Sequence, residues 1–480
     1  MTSTDTVLNE LGHLIDGRIV TGGPTFAVRN PKTGKVIGDS PDATPDQLDE
    51  AMAAAARAQP AWYGLGEDGR REVMHRMVSA LAERGDEVAA LYELEKGTKR
   101  SAGEVRFAPM FARQLIDTPL PVDVLEDNDE RTVQVVRKPV GVVAAITPWN
   151  APVLIGAEKL FAALAVGDTV VLKPSPFTPL ATLKLGEIWR DIVPPGVLNV
   201  LAGGDELGAA MVNHPSTRMV SFTGSVEAGR KIAAAAGRHL KNVVLELGGN
   251  DAAIVLPDVD VAAVAPRIAA AAFMGGGQVC AAVKRLYVHE SIYDDMVAAL
   301  AESANRLVAA PDDEGGTLVP MTTKPQYDRV RMLVDDAVAG GAKVVAGGAP
   351  PSFDGYFLPA TILTDVSPGM RVVDEEQFGP VLPVLPFRDV EDAVAQANAT
   401  EYGLNGSVWT KDIAAGEAIA SRLEAGTVWI NHHVEVAPHI PFGGVKQSGI
   451  GRSGGGPGAD AYAELQTQYV YKDAGRVTAG

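Results

Sequence analysis

Cysteine is almost missing from this 480-residue chain: Cys280 stands alone, so no intrachain disulfide can form. A disulfide-stapled secreted scaffold is excluded, and a reducing, cytoplasmic setting is the expectation. Basic residues are also scarce. The 42 Lys and Arg face 60 Asp and Glu, for a formal charge of −18, and no Lys/Arg block occurs. Nucleic-acid binders carry a basic stripe that displaces counterions, so nucleic acid is not expected as a partner. A phosphate-bearing cofactor is not excluded, because backbone N–H groups can hold one inside an acidic protein. Long apolar runs are missing too. Stretches such as 141–146 and 268–273 are far too short to cross a bilayer. The opening MTSTDTVLNELGHL has neither the basic nor the apolar part of a secretory leader. No fixed-period repeat and no low-complexity tail is visible.

What remains is an ordinary globular composition, 46% hydrophobic and 21% charged, on a chain long enough for about three lobes. Thr44-Pro45-Asp46-Gln47 predicts a helix start with a capping box. Helices are expected over 69–95 and 102–116. From Gly141 the rhythm changes. Continuous apolar runs at 141–146, 169–172, 197–201, 219–222 and 243–245 alternate with helical stretches at 153–166, 180–192, 206–212 and 226–236. Strands without polar alternation, separated by helices, predict a parallel sheet covered on both faces, in a doubly wound, dinucleotide-type domain. The pattern restarts after Gly249, with strands at 252–256 and 285–288 and helices at 259–273 and 292–308. By contrast 131–136 and 464–471 alternate. They are expected to form a small edge sheet that pairs with another subunit.

Several residues could carry chemistry. Cys280 follows Gly275-Gly276-Gly277-Gln278-Val279, a backbone with few side chains to block a substrate. It reads either as an inert core thiol or as a nucleophile. Glu246 ends the apolar strand 243–245, where ligands bind in such folds. It reads as a general base or as a solvated strand-end acid. Asn150, in Thr147-Pro148-Trp149-Asn150, could donate to an oxyanion, although a cap for the helix at 153–166 is the better local reading. Gly224-Ser225-Val226-Glu227-Ala228-Gly229 opens a helix where a phosphate could approach; a plain tight turn is equally consistent. Arg230-Lys231 follows instead of the Lys-Ser/Thr of a nucleotide-hydrolysing loop. Lys173, ending another strand, reads as a surface lysine or a ribose ligand. His432, His433 and His439 match no known metal-ligand spacing, and no metal is expected.

Together these segments resemble one family. TPWN at 147–150, KPS at 173–175, FTGS at 222–225, LELGGN at 245–250, GGQVC at 276–280, EEQFGPV at 375–381 and PFGGVKQSGIGR at 441–452 stand in the order found in the NAD(P)-dependent aldehyde dehydrogenases. The resemblance implies that Cys280 is the nucleophile and Glu246 the general base. Asn150, with the Cys280 backbone N–H, would form the oxyanion hole, and Lys159 matches a lysine placed in a proton relay. Lys173 and Glu376 would hold the cofactor riboses. Trp149, Gly224, Ser225 and Phe378 would line the cofactor's path, and Ser175 and Gly229 complete that set. It also implies an α/β fold with a Rossmann-like cofactor domain at 1–119 and 140–247 and a second α/β catalytic domain at 248–441. A small oligomerisation β-sheet with the C-terminal segment would occupy 120–139 and 442–480, in a homodimer or homotetramer.

The expected reaction oxidises an aldehyde to the carboxylic acid with NAD, or NADP. Two positions depart from the pattern. Pro176 stands where many NAD-preferring members carry a Glu that excludes a 2′-phosphate, and Ser453 replaces a glutamate linked to proton transfer. A CoA-acylating enzyme and a non-catalytic binding member are the alternatives. Glu246 counts against the first, and the presence of Cys280, Glu246 and Asn150 against the second.

Overall fold

The computed structural model describes residues 11–472. Residues 1–10, most of the stretch read above for a leader, and 473–480, the end of the expected arm, lie outside the described residues. The capping box forms as the sequence predicts. Gln47 N–H donates to Thr44 Oγ1 at 3.3 Å, and Thr44 N–H donates to Gln47 Oε1 at 2.9 Å. With Pro45 in the first turn it starts the helix Pro45–Gly64, a cap worth about 1 kcal/mol.

The apolar runs become strands, buried at every position in Val142–Ile146, Thr169–Lys173 and Leu198–Val200. They lie in an eight-stranded sheet. Its order is Gly449–Ile450, Asn242–Glu246, Thr217–Thr223, Val142–Ile146, Thr169–Lys173, Leu198–Val200, His13–Ile15, Arg18–Val20. The strands from Asn242–Glu246 to Leu198–Val200 are mutually parallel. Side chains alternate across the sheet and feed two cores. Val143, Ala145, Val170 and Leu172 join one, packed with Met77, Leu81, Leu160 and Leu183. Val142, Ala144, Ile146 and Val171 join the other, with Leu48, Met52, Leu207 and Met211. The strand order reverses direction at Val142–Ile146. In such sheets the crevice beyond the strand C-termini at this switch is where ligands bind.

A second sheet repeats the architecture. It runs Lys343–Ala346, Thr361–Thr364, Val381–Phe387, Arg285–His289, Ala252–Val255, Asn405–Trp409, Thr427–Ile430. All its pairings are parallel except the Lys343–Ala346 edge. It too has a core on each face. The two alternating segments pair with one another: Ala463–Tyr471 lies antiparallel on Arg131–Pro139, which also takes Asp123–Asp127. Within 442–480, Gly449–Ile450 joins the edge of the first sheet instead, opposite Leu245 and Glu246.

Helix ends differ from the sequence reading where capping decides them. The helix expected at 259–273 begins at Val261, because the Asp260 carboxylate accepts from Ala262 and Ala263 N–H.

Candidate active site

The loop before Cys280 is shaped by backbone conformation. Gly275, Gly276 and Gly277 hold φ of 59°, 68° and 70°, the left-handed region that side chains other than glycine resist. A Cβ on Gly277 would sit 2.1 Å from the Gly379 carbonyl oxygen. Substrate access is therefore not what demands glycine at 277; close packing on the 375–380 loop is. Gln278 pins the turn. Its Nε2 donates to the Gly275 and Pro320 carbonyls at 2.9 and 3.1 Å, and its Oε1 accepts from Thr322 N–H at 2.7 Å. Cys280 emerges half-buried. Burial pushes its thiol up to about 12, and the nearby Lys284 ammonium pulls it down.

Asn150 does not cap the following helix, contrary to the local reading. The cap position of Pro152–Val166 is Ala151, which makes no side-chain cap bond. Glu104 caps the helix from another helix, its Oε1 accepting from Val153 and Leu154 N–H at 2.9 and 2.8 Å. Tyr92 OH donates to the other Glu104 oxygen. Buried Lys96 holds the loop from below. Its Nζ donates to the Trp149 and Asn150 carbonyls at 3.2 and 3.1 Å and to Thr322 Oγ1 at 2.8 Å. The freed Asn150 Nδ2 reaches across to the Gln278 carbonyl at 3.1 Å, two residues from the thiol.

Glu246 ends its strand buried, with Oε1 meeting no hydrogen-bond donor. The carboxyl fits because residue 443 is glycine: a Cβ there would lie 2.6 Å from Glu246 Oε1. Burial and then the Glu158 carboxyl push Glu246 up to about 8, against the pull of Lys159 and Arg452. Lys159 is fully buried, and desolvation lowers it to about 8. Its Nζ donates to Ser221 Oγ at 3.1 Å, and that hydroxyl pairs with Tyr462 OH at 2.7 Å. Lys159 thus reaches Glu246 through charge, without a direct bond. Ser453 lies by Glu158 and favours its ionised form, yet its hydroxyl finds no partner at hydrogen-bond geometry.

Cys280, Glu246, Asn150 and Glu158 line one cavity of about 830 Å³. Most of its remaining wall is apolar, including Phe107, Phe111, Leu154, Phe273, Val434 and Phe442.

The residues assigned to a cofactor surround the strand C-termini. Lys173 is 3% exposed. Burial lowers it to about 8, and the charges of Asp205 and Asp42 oppose that fall. Its Nζ donates only weakly, to the Pro174 carbonyl at 3.3 Å. Ser225 caps the helix Val226–Gly237 through a bond from Ala228 N–H at 3.2 Å. Gly224 N–H donates to the Glu246 carbonyl at 3.0 Å. Ser175 accepts from Phe177 N–H at 3.3 Å. Gly229 sits inside its helix against Leu247, where a Cβ would come within 2.5 Å of that side chain. Its smallness serves helix packing. Glu376 Oε1 accepts from Gly249 N–H at 3.1 Å. Trp149 and Phe378 meet edge-to-face, ring centroids 5.3 Å apart.

Sequence reasoning missed Lys96, Glu104, Glu158 and Lys284. One signal was available: Glu158 and Lys159 are the only charges in an otherwise apolar helix. Among the described residues, no group of three or more His, Cys, Asp or Glu is placed to hold a metal ion. His433 is buried against Ser407 Oγ at 2.8 Å, while His432 faces Glu435. No helix among the described residues is long and apolar enough to cross a membrane.

A sequence model described as the aldehyde dehydrogenase family matches residues 19–468. A phenylacetaldehyde dehydrogenase of Pseudomonas fluorescens is 40% identical over 469 residues, covering 93% of this chain and 92% of its own. Among solved structures, an NAD+ complex of an aldehyde dehydrogenase from Bacillus cereus superposes with a TM-score of 0.91 at 33% identity, covering 98% of this chain and 99% of the other. An NADP-dependent enzyme from E. coli gives 0.93 at 34% identity, covering 97% and 99%.

Proposed function

Since the chain belongs to the aldehyde dehydrogenase family, whose members oxidise aldehydes with NAD(P), we propose that it converts an aldehyde to the free carboxylic acid through a covalent Cys280 thioester. The observation that carries this reading is the shared cavity: the one thiol, an amide bonded beside it and a buried carboxyl with an unpartnered oxygen all face it. The Cys280 thiolate adds to the aldehyde carbon, and the carbonyl oxygen becomes an oxyanion beside Asn150 Nδ2. NAD(P)+, when bound, would accept the hydrogen of the adduct carbon as hydride. The C–H bond breaks as the oxyanion re-forms the carbonyl, which leaves a thioester on Cys280. Glu246 then takes a proton from water, which attacks the thioester carbon and expels the thiolate.

The chain's residues fit a dinucleotide. Lys173 offers a buried ammonium with spare donors at a strand C-terminus, and Gly224-Ser225 opens a helix N-terminus at the end of the strand two places along the same sheet. We assign NAD over NADP, because Asp42 and Asp205 make the surroundings of Lys173 acidic and would repel a 2′-phosphate. The apolar wall, with Phe107, Phe111 and Trp149 at or near it, suits an aromatic or medium aliphatic aldehyde. The one cysteine suits a reducing cytoplasmic compartment.

We assign 1–119 and 140–247 to cofactor binding, 248–441 to catalysis, and 120–139 with most of 442–480 to oligomer contact. Leu465, Tyr469, Val470 and Tyr471 are exposed on the three-stranded sheet, a surface suited to a second copy in a homodimer or homotetramer.

NADH absorbance at 340 nm with an aldehyde panel, with and without CoA, tests the reaction. Expected is NADH and free acid without CoA; strict dependence on CoA would reject the hydrolytic reading. Asn150→Ala should cut kcat by about 10²–10³, or about 2.7–4 kcal/mol, as for one lost oxyanion donor. An unchanged kcat would remove that role.

A further inference from the structure

We infer that Lys284 is a positioning residue: its buried ammonium ties the nucleophile loop to the carboxylate of Glu376, so that thiol reactivity and cofactor binding are linked through one side chain. The inference rests on the assignment of Cys280 as nucleophile and Glu376 as a ribose ligand.

The geometry is compact. Lys284 is 1% exposed. Its Nζ donates to the Val279 carbonyl at 2.7 Å and the Cys280 carbonyl at 3.3 Å. The same nitrogen lies 3.8 Å from Glu376 Oε1 and 5.5 Å from the centroid of the Phe378 ring. Its own backbone N–H donates to the Asp251 carbonyl at 3.0 Å, which fixes it to the strand Ala252–Val255. The side chain therefore touches the thiol loop and the 375–380 loop, while the backbone of the same residue is anchored to Asp251.

A buried ammonium needs compensation. Here two carbonyls bind it directly, while its nearest carboxylate stands too far for a strong hydrogen bond. Much of its charge stays available to neighbouring groups. The groups facing the thiol are otherwise acidic: Glu246 from its strand end, Asp251 from the segment before Ala252–Val255, and Glu376 from its loop. All three disfavour a thiolate, and Lys284 favours one. His433, packed from the loop after Thr427–Ile430, adds no positive charge, since burial pushes it down to about 3. In turn, burial pushes the Glu376 carboxyl above its ordinary value, and the same lysine opposes that shift, favouring the ionised form that accepts hydrogen bonds.

Because Cys280 is the sole thiol, its alkylation can be read without turnover. Iodoacetamide modification of the full-length protein is followed by intact mass from pH 6 to 10. NAD+ binding is measured by calorimetry on the same samples. Lys284→Met should slow alkylation at pH 8 by about tenfold, equivalent to a midpoint about one pH unit higher, and weaken NAD+ binding by about fivefold. Lys284→Arg should restore most of both. If the Met variant does not fold, Lys284→Gln carries the test, since it keeps a donor for the carbonyls and loses the charge. An alkylation rate unchanged across this pH range in the neutral variant overturns the inference. Slowed alkylation with unchanged NAD+ affinity overturns the linkage. Full turnover in Cys280→Ala would instead reject the underlying mechanism, which these binding and alkylation measurements do not depend on.

Discussion

Cys280→Ala is expected to abolish aldehyde oxidation, with kcat falling by at least roughly 10⁴-fold, while NAD+ still binds. Removing a covalent nucleophile eliminates the route itself, so losses of this order or larger are usual. Binding should survive because Lys173, Gly224 and Ser225 lie at the first sheet's strand ends, outside the cysteine loop. The loop should keep its shape, since it is held by Gln278, Lys284 and three left-handed glycines and by no bond to the sulfur. Two measurements check this: steady-state NADH formation, and the mass of wild-type protein quenched during turnover. Substantial residual activity in the variant, or an acyl adduct mapping away from Cys280, would remove the thiol from the mechanism.

Glu246→Gln should split the reaction in two. On the proposed mechanism acylation depends on Cys280 and Asn150, so an initial burst of NADH near one equivalent should remain. Hydrolysis loses its base, and the steady rate falls by about 10²–10⁴-fold. The pH dependence has a definite sign. Burial raises Glu246 from 4.5 to about 8, so the proton-accepting form accumulates only as pH rises through about 8. The wild-type steady rate should climb across that window, and the Gln variant should lose the climb. Stability moves the other way. A carboxyl whose folded pKa is raised contributes stability below about 4.5 that is lost as pH rises through about 8. The variant's melting temperature should therefore gain on wild type between pH 5 and pH 9. A steady rate unchanged by the substitution would show that another group activates the water, with Glu158 another carboxyl on the cavity wall.

The parallel sheets were legible because burial on both faces writes itself locally, as runs such as Val142–Ile146 with no polar alternation. The pairing of 131–136 with 464–471 was legible from the opposite pattern. The capping box at Thr44 needed only four consecutive residues. Asn150 shows where local reading fails: a cap was the better local interpretation, and Glu104, 46 residues upstream in the chain, takes that work instead. The glycines before Cys280 looked like clearance for a substrate. At Gly277 the cause is the Gly379 carbonyl, about a hundred residues on. Gly229, read beside a phosphate, is needed where its helix meets Leu247.

The sequence by itself determined which reactive groups exist and at which strand ends they stand, because residue type and hydrophobic period are local properties. It determined one thiol, a carboxylate closing the strand Asn242–Glu246 and an amide just beyond Val142–Ile146. Only the tertiary structure decided how those groups are tuned. Whether Glu246 is a strong or weak acid depends on burial, on Glu158 and on the space left by Gly443, which come from three separate stretches of chain. Whether Asn150 is free to reach the Gln278 carbonyl depends on Lys96 and Glu104. Charge effects scale with separation and desolvation, and neither quantity exists until distant segments are folded against one another.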